Sequence, residues 1–161
     1  MTRDERKKLI DQYNDGYRVV AEALAGATDE DLDARPAPGK WTAREVVHHL
    51  ADSEMTAGIR LRWLVAFDQP TIQGYDQEEL ARKLFYDRPI ESSLDAFKSA
   101  RKTTGEILER MSDADWVRRG AHTEMGGANY TPERWLEIYG AHAHKHAEQI
   151  LVARGSAKKN V

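Results

Sequence analysis

The stretch from Thr42 to Phe67, TAREVVHHLADSEMTAGIRLRWLVAF, decides the fold class. Thr42 followed three positions later by Glu45 is a capping box, in which each side chain satisfies an amide left orphaned at a helix start. Trp41 before the cap and Val46 after it stand at the positions of a hydrophobic staple. From there Val46, His49, Leu50, Ser53, Ala57, Leu61 and Leu64 recur at three- and four-residue spacing, so the segment predicts one helix closed by Asp68, Gln69 and Pro70. At about 25 residues such a helix spans roughly 38 Å.

Working outward, Leu9, Ile10, Tyr13, Tyr17, Val20 and Leu24 predict an earlier helix from about Arg3 to Leu24, ended by Gly26. Thr28 to Ala34 has room for one short turn, and Arg35, Pro36, Ala37, Pro38 and Gly39 break the chain before Thr42. A shorter helix fits between Gly74 and Tyr86. A third long one is expected from about Ser92 to Met111, with Leu94, Phe97, Arg101, Thr104, Leu108 and Met111 facing inward. Ser112 to Tyr130 is Gly-rich and suits a short turn or hairpin. Thr131 then caps, Pro132 takes the first-turn position where its missing amide costs nothing, and a fourth long helix runs to about Ala153. Four long helical patterns with almost no strand alternation predict an all-α, up-and-down four-helix bundle with elaborated connections. One domain over residues 1–154 is expected, with residues 155–161 as a frayed tail.

Composition narrows the function. The 161 residues carry 24 basic and 27 acidic side chains, a net charge of −3, so no basic field exists to gather the phosphates of a nucleic acid. Cysteine is absent, which excludes disulfides, thiolate metal sites and a cysteine nucleophile, and suits a reducing cytoplasm. The first residues, MTRDERKKLIDQY, lack the apolar core of a secretory signal, and no apolar run approaches the roughly 20 residues that span a bilayer. A cytoplasmic protein with a small-molecule substrate, no nucleic-acid or membrane partner and room for a homodimer contact is the expectation.

The six histidines sort by helix face. On the fourth long helix, Trp135, Ile138, Tyr139, His142, His146, Gln149 and Ile150 share one stripe, so His142 and His146 point inward together. One helical turn apart, two imidazoles can close onto a single cation. His144 shares its face with Glu137, Ala141 and Glu148 and is expected in solvent. By the same test His49 lies on the apolar stripe of the second long helix, while His48 sits with Arg44, Glu45 and Asp52 and faces out. A lone inward histidine is ordinarily a hydrogen-bonded core residue. Two on one turn leave several ring nitrogens to be satisfied, which a shared cation does at once.

Two segments carry a resemblance: Pro38-Gly-Lys-Trp-Thr-Ala-Arg-Glu-Val-Val-His-His-Leu-Ala-Asp-Ser-Glu54 and Tyr139-Gly-Ala-His-Ala-His-Lys-His-Ala-Glu-Gln-Ile150. Together they resemble the DinB-like (DinB/YfiT) superfamily of metal-dependent enzymes, in which a Trp-led cap opens the second helix and an HxxxH followed by Gln-Ile lies on the last. The resemblance covers most of the chain and implies His49, His142 and His146 as metal ligands, the three that the face analysis selects. It departs at Lys145, where many relatives carry a second adjacent histidine. It also implies Zn or Ni as the ion, although three imidazoles alone suit several divalent metals.

Three neutral nitrogen ligands leave a coordination position open, the pattern of a catalytic site. Two enzyme readings follow: a hydrolase in which activated water attacks an electrophile, or a transferase in which a low-molecular-weight thiol supplies the nucleophile. A nonenzymatic metal-binding or structural bundle is the competing class. Glu54, Asp52, Tyr13, Tyr17 and Arg60 are candidates for a base, an anchor or an oxyanion contact, and His122 in the Gly-rich loop for a fourth ligand or acid. Each has an ordinary structural or solvated reading beside it. The four tryptophans suit packing, and Gly126-Gly127 lacks the strand-to-helix setting of a phosphate loop.

Overall fold

The computed structural model describes residues 1–125, 127 and 129–157. Four rods form the bundle. α1 (Arg3–Leu24) is capped by Thr2 and Glu5, and α3 (Ala43–Ala66) by the expected Thr42–Glu45 box. α5 (Glu91–Leu108) is the third rod, and α7 (Pro132–Tyr139) with α8 (His142–Ala157) makes the fourth. The connections hold α2 (Asp29–Asp33), α4 (Gln77–Lys83) and α6 (Asp113–Trp116). They also hold two short parallel strands, β1 (Thr71–Ile72) and β2 (Ala121–His122).

The four-helix bundle is as the periodicity predicts, but its winding is not up-and-down. Contacts climb together along α3 and α5: His48 meets Ser93, Glu54 meets Arg101, and Arg62 meets Thr104. These adjacent rods are therefore parallel. α1 and α8 are parallel too, since Asp15 meets His144 and Ala23 meets Arg154. Consecutive rods α1 and α3 both pack against α5 and α8. A parallel neighbour requires a long crossover, so residues 67–90 must return along the bundle before α5 can start beside the start of α3. Helical periodicity reports which face is buried and says nothing of rod direction.

That crossover corrects a second expectation. His48 is fully buried, with Nδ1 2.8 Å from the Ser93 hydroxyl and Nε2 3.0 Å from the Arg88 carbonyl, which can only accept. The ring thus donates from Nε2 and leaves Nδ1 to accept from Ser93. Tyr86 of the same crossover donates to Asp52 at 2.7 Å. The polar face of α3 is covered by returning chain instead of water.

The fourth rod is broken where one continuous helix was expected. At the break the Tyr139 carbonyl accepts from Arg101 Nη2 at 3.4 Å, and Gly140 lies so close that a Cβ there would stand 2.8 Å from the Leu136 carbonyl oxygen. The third rod also ends earlier than expected, at Leu108, and Ser112 caps α6 beyond it. At the C-terminus α8 continues through residues 155–157, and Arg154 donates to the Ala23 carbonyl of α1 and to that of Ala25 just beyond it. The remainder of the expected tail, 158–161, and Gly126 lie outside the described residues.

Two apolar clusters fill the bundle. Val20, Val46, Val47, Leu50, Phe97 and Ile150 belong to one, and Leu61, Leu64, Leu108, Trp135 and Leu136 to the other. Between them runs a buried polar belt that includes His49, Ser53, Glu54, Arg101 and Thr104. Among the described residues no helix is long and apolar enough to cross a membrane.

Candidate metal centre

The break in the fourth rod makes His142 the first residue of α8 and sets His146 one turn behind it, both facing His49 across from α3. Ring centroids lie 5.4 Å apart for His49 and His142, 4.8 Å for His49 and His146, and 4.5 Å for the α8 pair. One nitrogen from each of the three lies within 4.8 Å of the others, and no carboxylate joins the cluster among the described residues.

The donor atoms suit a cation. His142 Nε2 and His146 Nε2 face each other at 3.2 Å, close to the roughly 3.3 Å that separates two nitrogens on one tetrahedral zinc ion. His146 Nδ1 lies 2.9 Å from Gln149 Oε1, which can only accept, so the ring proton sits on Nδ1 and the Nε2 lone pair turns toward His142. His49 Nε2 is buried with no hydrogen-bond partner among the described residues. A buried polar atom left so is costly, and a shared ion is the group that would satisfy it.

Electrostatics keep the rings unprotonated. Burial, then the neighbouring His146, lower the His49 pKa to about 3; burial, then His146, His49 and Arg101, lower that of His142 to about 2. His146 is lowered chiefly by burial, against the pull of Gln149. Neutral imidazole is the form that ligates a metal.

The structure separates the other candidates from this cluster. His144 is half-buried, not fully solvated, on the opposite side of α8, with Nε2 3.3 Å from Asp15. His122 lies in β2, buried against Tyr130 at 4.9 Å between centroids, with Nδ1 accepting from the Glu124 amide at 3.2 Å. It is neither a loop-surface residue nor a member of the three-histidine group. Glu54, 1% exposed, is locked to Arg101 and accepts from the Tyr13 hydroxyl, and burial pushes its carboxyl up against the opposing pull of Arg101. Asp52 is bound by Tyr86, and Tyr17 packs on Phe97 under Lys98. Arg60 donates to the Tyr139 hydroxyl at 3.0 Å, and the Tyr139 ring stands edge-on to His142 at 5.8 Å.

Sequence reasoning assigned no site role to Trp41 or Gln149. The Trp41 ring lies 4.8 Å from that of His49 and its Nε1 donates to Glu78 at 3.2 Å. Gln149 was legible in part, as the residue one turn beyond His146 on the inward stripe. The contact of Trp41 with Glu78 depends on the crossover and carried no local signal.

Residues 12–150 match the family model of the DinB superfamily. A protein of Oceanobacillus iheyensis with the name "Putative metal-dependent hydrolase" is 33% identical over 141 residues, 88% of this chain and 81% of the relative. One of the same name from Geobacillus thermodenitrificans is 34% identical, over 82% and 74% of the two chains. Among solved structures, YfiT from Bacillus subtilis, described as a probable metal-dependent hydrolase with an unusual four-helix bundle topology, superposes with a TM-score of 0.87. It is 25% identical, and the match covers 99% of this chain and 89% of that one.

Proposed function

Since the chain belongs to the DinB superfamily, we propose that it is a metal-dependent hydrolase whose His49, His142 and His146 hold one divalent ion, zinc or nickel. The observation that carries this reading is the pairing of two Nε2 atoms 3.2 Å apart with an orphaned, buried His49 Nε2 on the facing rod. An ion held there supplies a Lewis acid and lowers the pKa of a water or thiol that reaches it. The chain's own contribution is to hold three neutral donors in place and leave the remaining positions to solvent and substrate. Gln149 fixes the His146 tautomer, and Trp41 walls the His49 side.

A thiol transferase is the second reading, and one feature of the centre favours it. No carboxylate joins the three histidine nitrogens among the described residues, and Glu54 is held by Arg101 and Tyr13 and so is not free to take a proton from water. A thiol needs less help than water to ionise near neutral pH. With no cysteine in the chain, that thiol would be a small molecule from outside.

Elemental analysis of the purified protein tests the centre: about one divalent ion per chain is expected, lost in His142→Ala and His49→Ala and kept in His144→Ala. Equal retention by all three variants would remove the assignment. A screen of ester and amide hydrolysis with and without low-molecular-weight thiols then separates the two reactions, since only a transferase turns over solely when thiol is present.

A further inference from the structure

Three arginines are buried among the described residues: Arg44, Arg60 and Arg101. Arg44 is paired with Asp29 and Asp33, and Arg101 with Glu54. Arg60, 6% exposed, has no carboxylate within ion-pair distance among the described residues. Its guanidinium donates to the Tyr139 hydroxyl and the Gln73 carbonyl and lies under the Tyr75 ring at 5.1 Å, while Nε has no partner. Dipoles and a π face soften the burial of a charge and do not neutralise it, and an uncompensated buried cation is expensive. Arginine's planar fork is the side chain best matched to a carboxylate or phosphate.

Tyr75, which lies over the Arg60 guanidinium, is itself only half-buried. From Tyr75 to Phe85, through α4, no residue is buried, so this segment can lift at little cost in lost packing. The position is also informative. Arg60 follows His49 by 11 residues, which returns to within about 20° of the same face of α3 and about 16 Å along it. Tyr139 spans part of that interval, its hydroxyl on Arg60 and its ring against His142.

We propose that Arg60 is an anion-binding residue, which takes a carboxylate or phosphate group of the substrate beneath Tyr75, with Tyr139 standing between it and His142. Naming the anion as part of the substrate rests on the metal-centre reading; binding of the anion to Arg60 does not.

The test uses acetate and inorganic phosphate as separate probes of the full chain in EDTA, against chloride at equal ionic strength. The readouts are the arginine Nε–H resonances and the thermal midpoint. We expect one arginine signal, absent in Arg60→Met, to shift saturably with one or both probes. The accompanying rise in midpoint should be at least tenfold weaker in its concentration dependence in Arg60→Met, and partly restored in Arg60→Lys. The probe that saturates at lower concentration identifies the oxyanion. No saturable shift with either probe, or an equal midpoint rise in Arg60→Met, overturns the assignment; if that variant does not fold, equal response of Arg60→Lys and the unaltered chain does so. Zinc uptake by the unaltered chain is measured separately, so a chain that binds anion and no metal defeats the metal centre and leaves the Arg60 site standing.

Discussion

At the scale of the residue, the centre depends on which ring nitrogen carries a proton. Gln149 accepts from His146 Nδ1 and so turns a lone pair toward His142; without it the ring has no fixed tautomer and can rotate about its side-chain torsions. Loss of such a supporting hydrogen bond weakens metal affinity by about 10- to 100-fold. Gln149→Leu is therefore expected to bind zinc in that weaker range with an unchanged circular dichroism spectrum, because Gln149 is only half-buried on α8. Competition with a chromophoric chelator measures it, and an unchanged affinity would show that packing alone orients the ring. The three histidines were legible in the sequence because one helix face suffices to select each of them. His48 was not, since its burial comes from Ser93 and Arg88, more than 35 positions away along a connection whose path no local pattern encodes. Arg60 was legible as one of several candidates for an anchor or oxyanion contact, with nothing local to single it out. Its isolation from any carboxylate exists only in three dimensions.

At the scale of the element, the rods are registered by the buried pair of Arg101 and Glu54. Arg101 Nη1 donates to Glu54 on α3, Nε to the Tyr13 carbonyl on α1 at 2.6 Å, and Nη2 to the Tyr139 carbonyl at the end of α7. One guanidinium on α5 thus touches the three other rods, and Gly16 makes the room, since a Cβ there would stand 2.5 Å from Arg101 Nε. Removing one member of a buried pair strands the other charge and costs about 3–5 kcal/mol, whereas replacing both with apolar groups is often neutral. Arg101→Met is expected to lower the unfolding free energy obtained from urea titration by that order, and Glu54→Leu combined with Arg101→Met to recover most of it. Additive losses in the double variant would mean the two residues do not act as a pair. Element boundaries were largely readable: α1, α2, α3, α4 and the cap of α7 follow from side-chain caps and apolar spacing that are local by nature. The β1–β2 pairing, the parallel run of α3 and α5 and the break before His142 were not. Each is set by partners distant in sequence, and the break coincides with an Arg101 contact that no pattern within the fourth rod reveals.

At the scale of the whole molecule, a polar belt at the junction of two apolar clusters makes the metal-free fold sensitive to acid. His48, His49, His122, His142 and His146 all have pKa values lowered from 6.5, in each case with burial as the largest cause. For a base whose folded value is depressed, the unfolded chain takes up the proton first. Stability is therefore complete above about pH 6.5 and is lost as pH falls below it, continuing toward the folded values, about 3 for His49 and about 2 for His142. Each histidine that stays neutral in the fold while protonated in the unfolded chain contributes a slope of about 1.4 kcal/mol per pH unit. Several act over the same interval, so in EDTA the urea midpoint is expected to drop steeply between pH 7 and pH 5, before most carboxylates titrate. A surface dominated by carboxylate pairs, such as Asp113 with Arg3 and Arg6, would instead hold its midpoint through that range and fail below it, because those acids are lowered by their partners. A midpoint flat from pH 7 to pH 5 would mean that the buried rings are hydrated or already protonated in the fold, and the neutral three-histidine centre would lose its electrostatic basis.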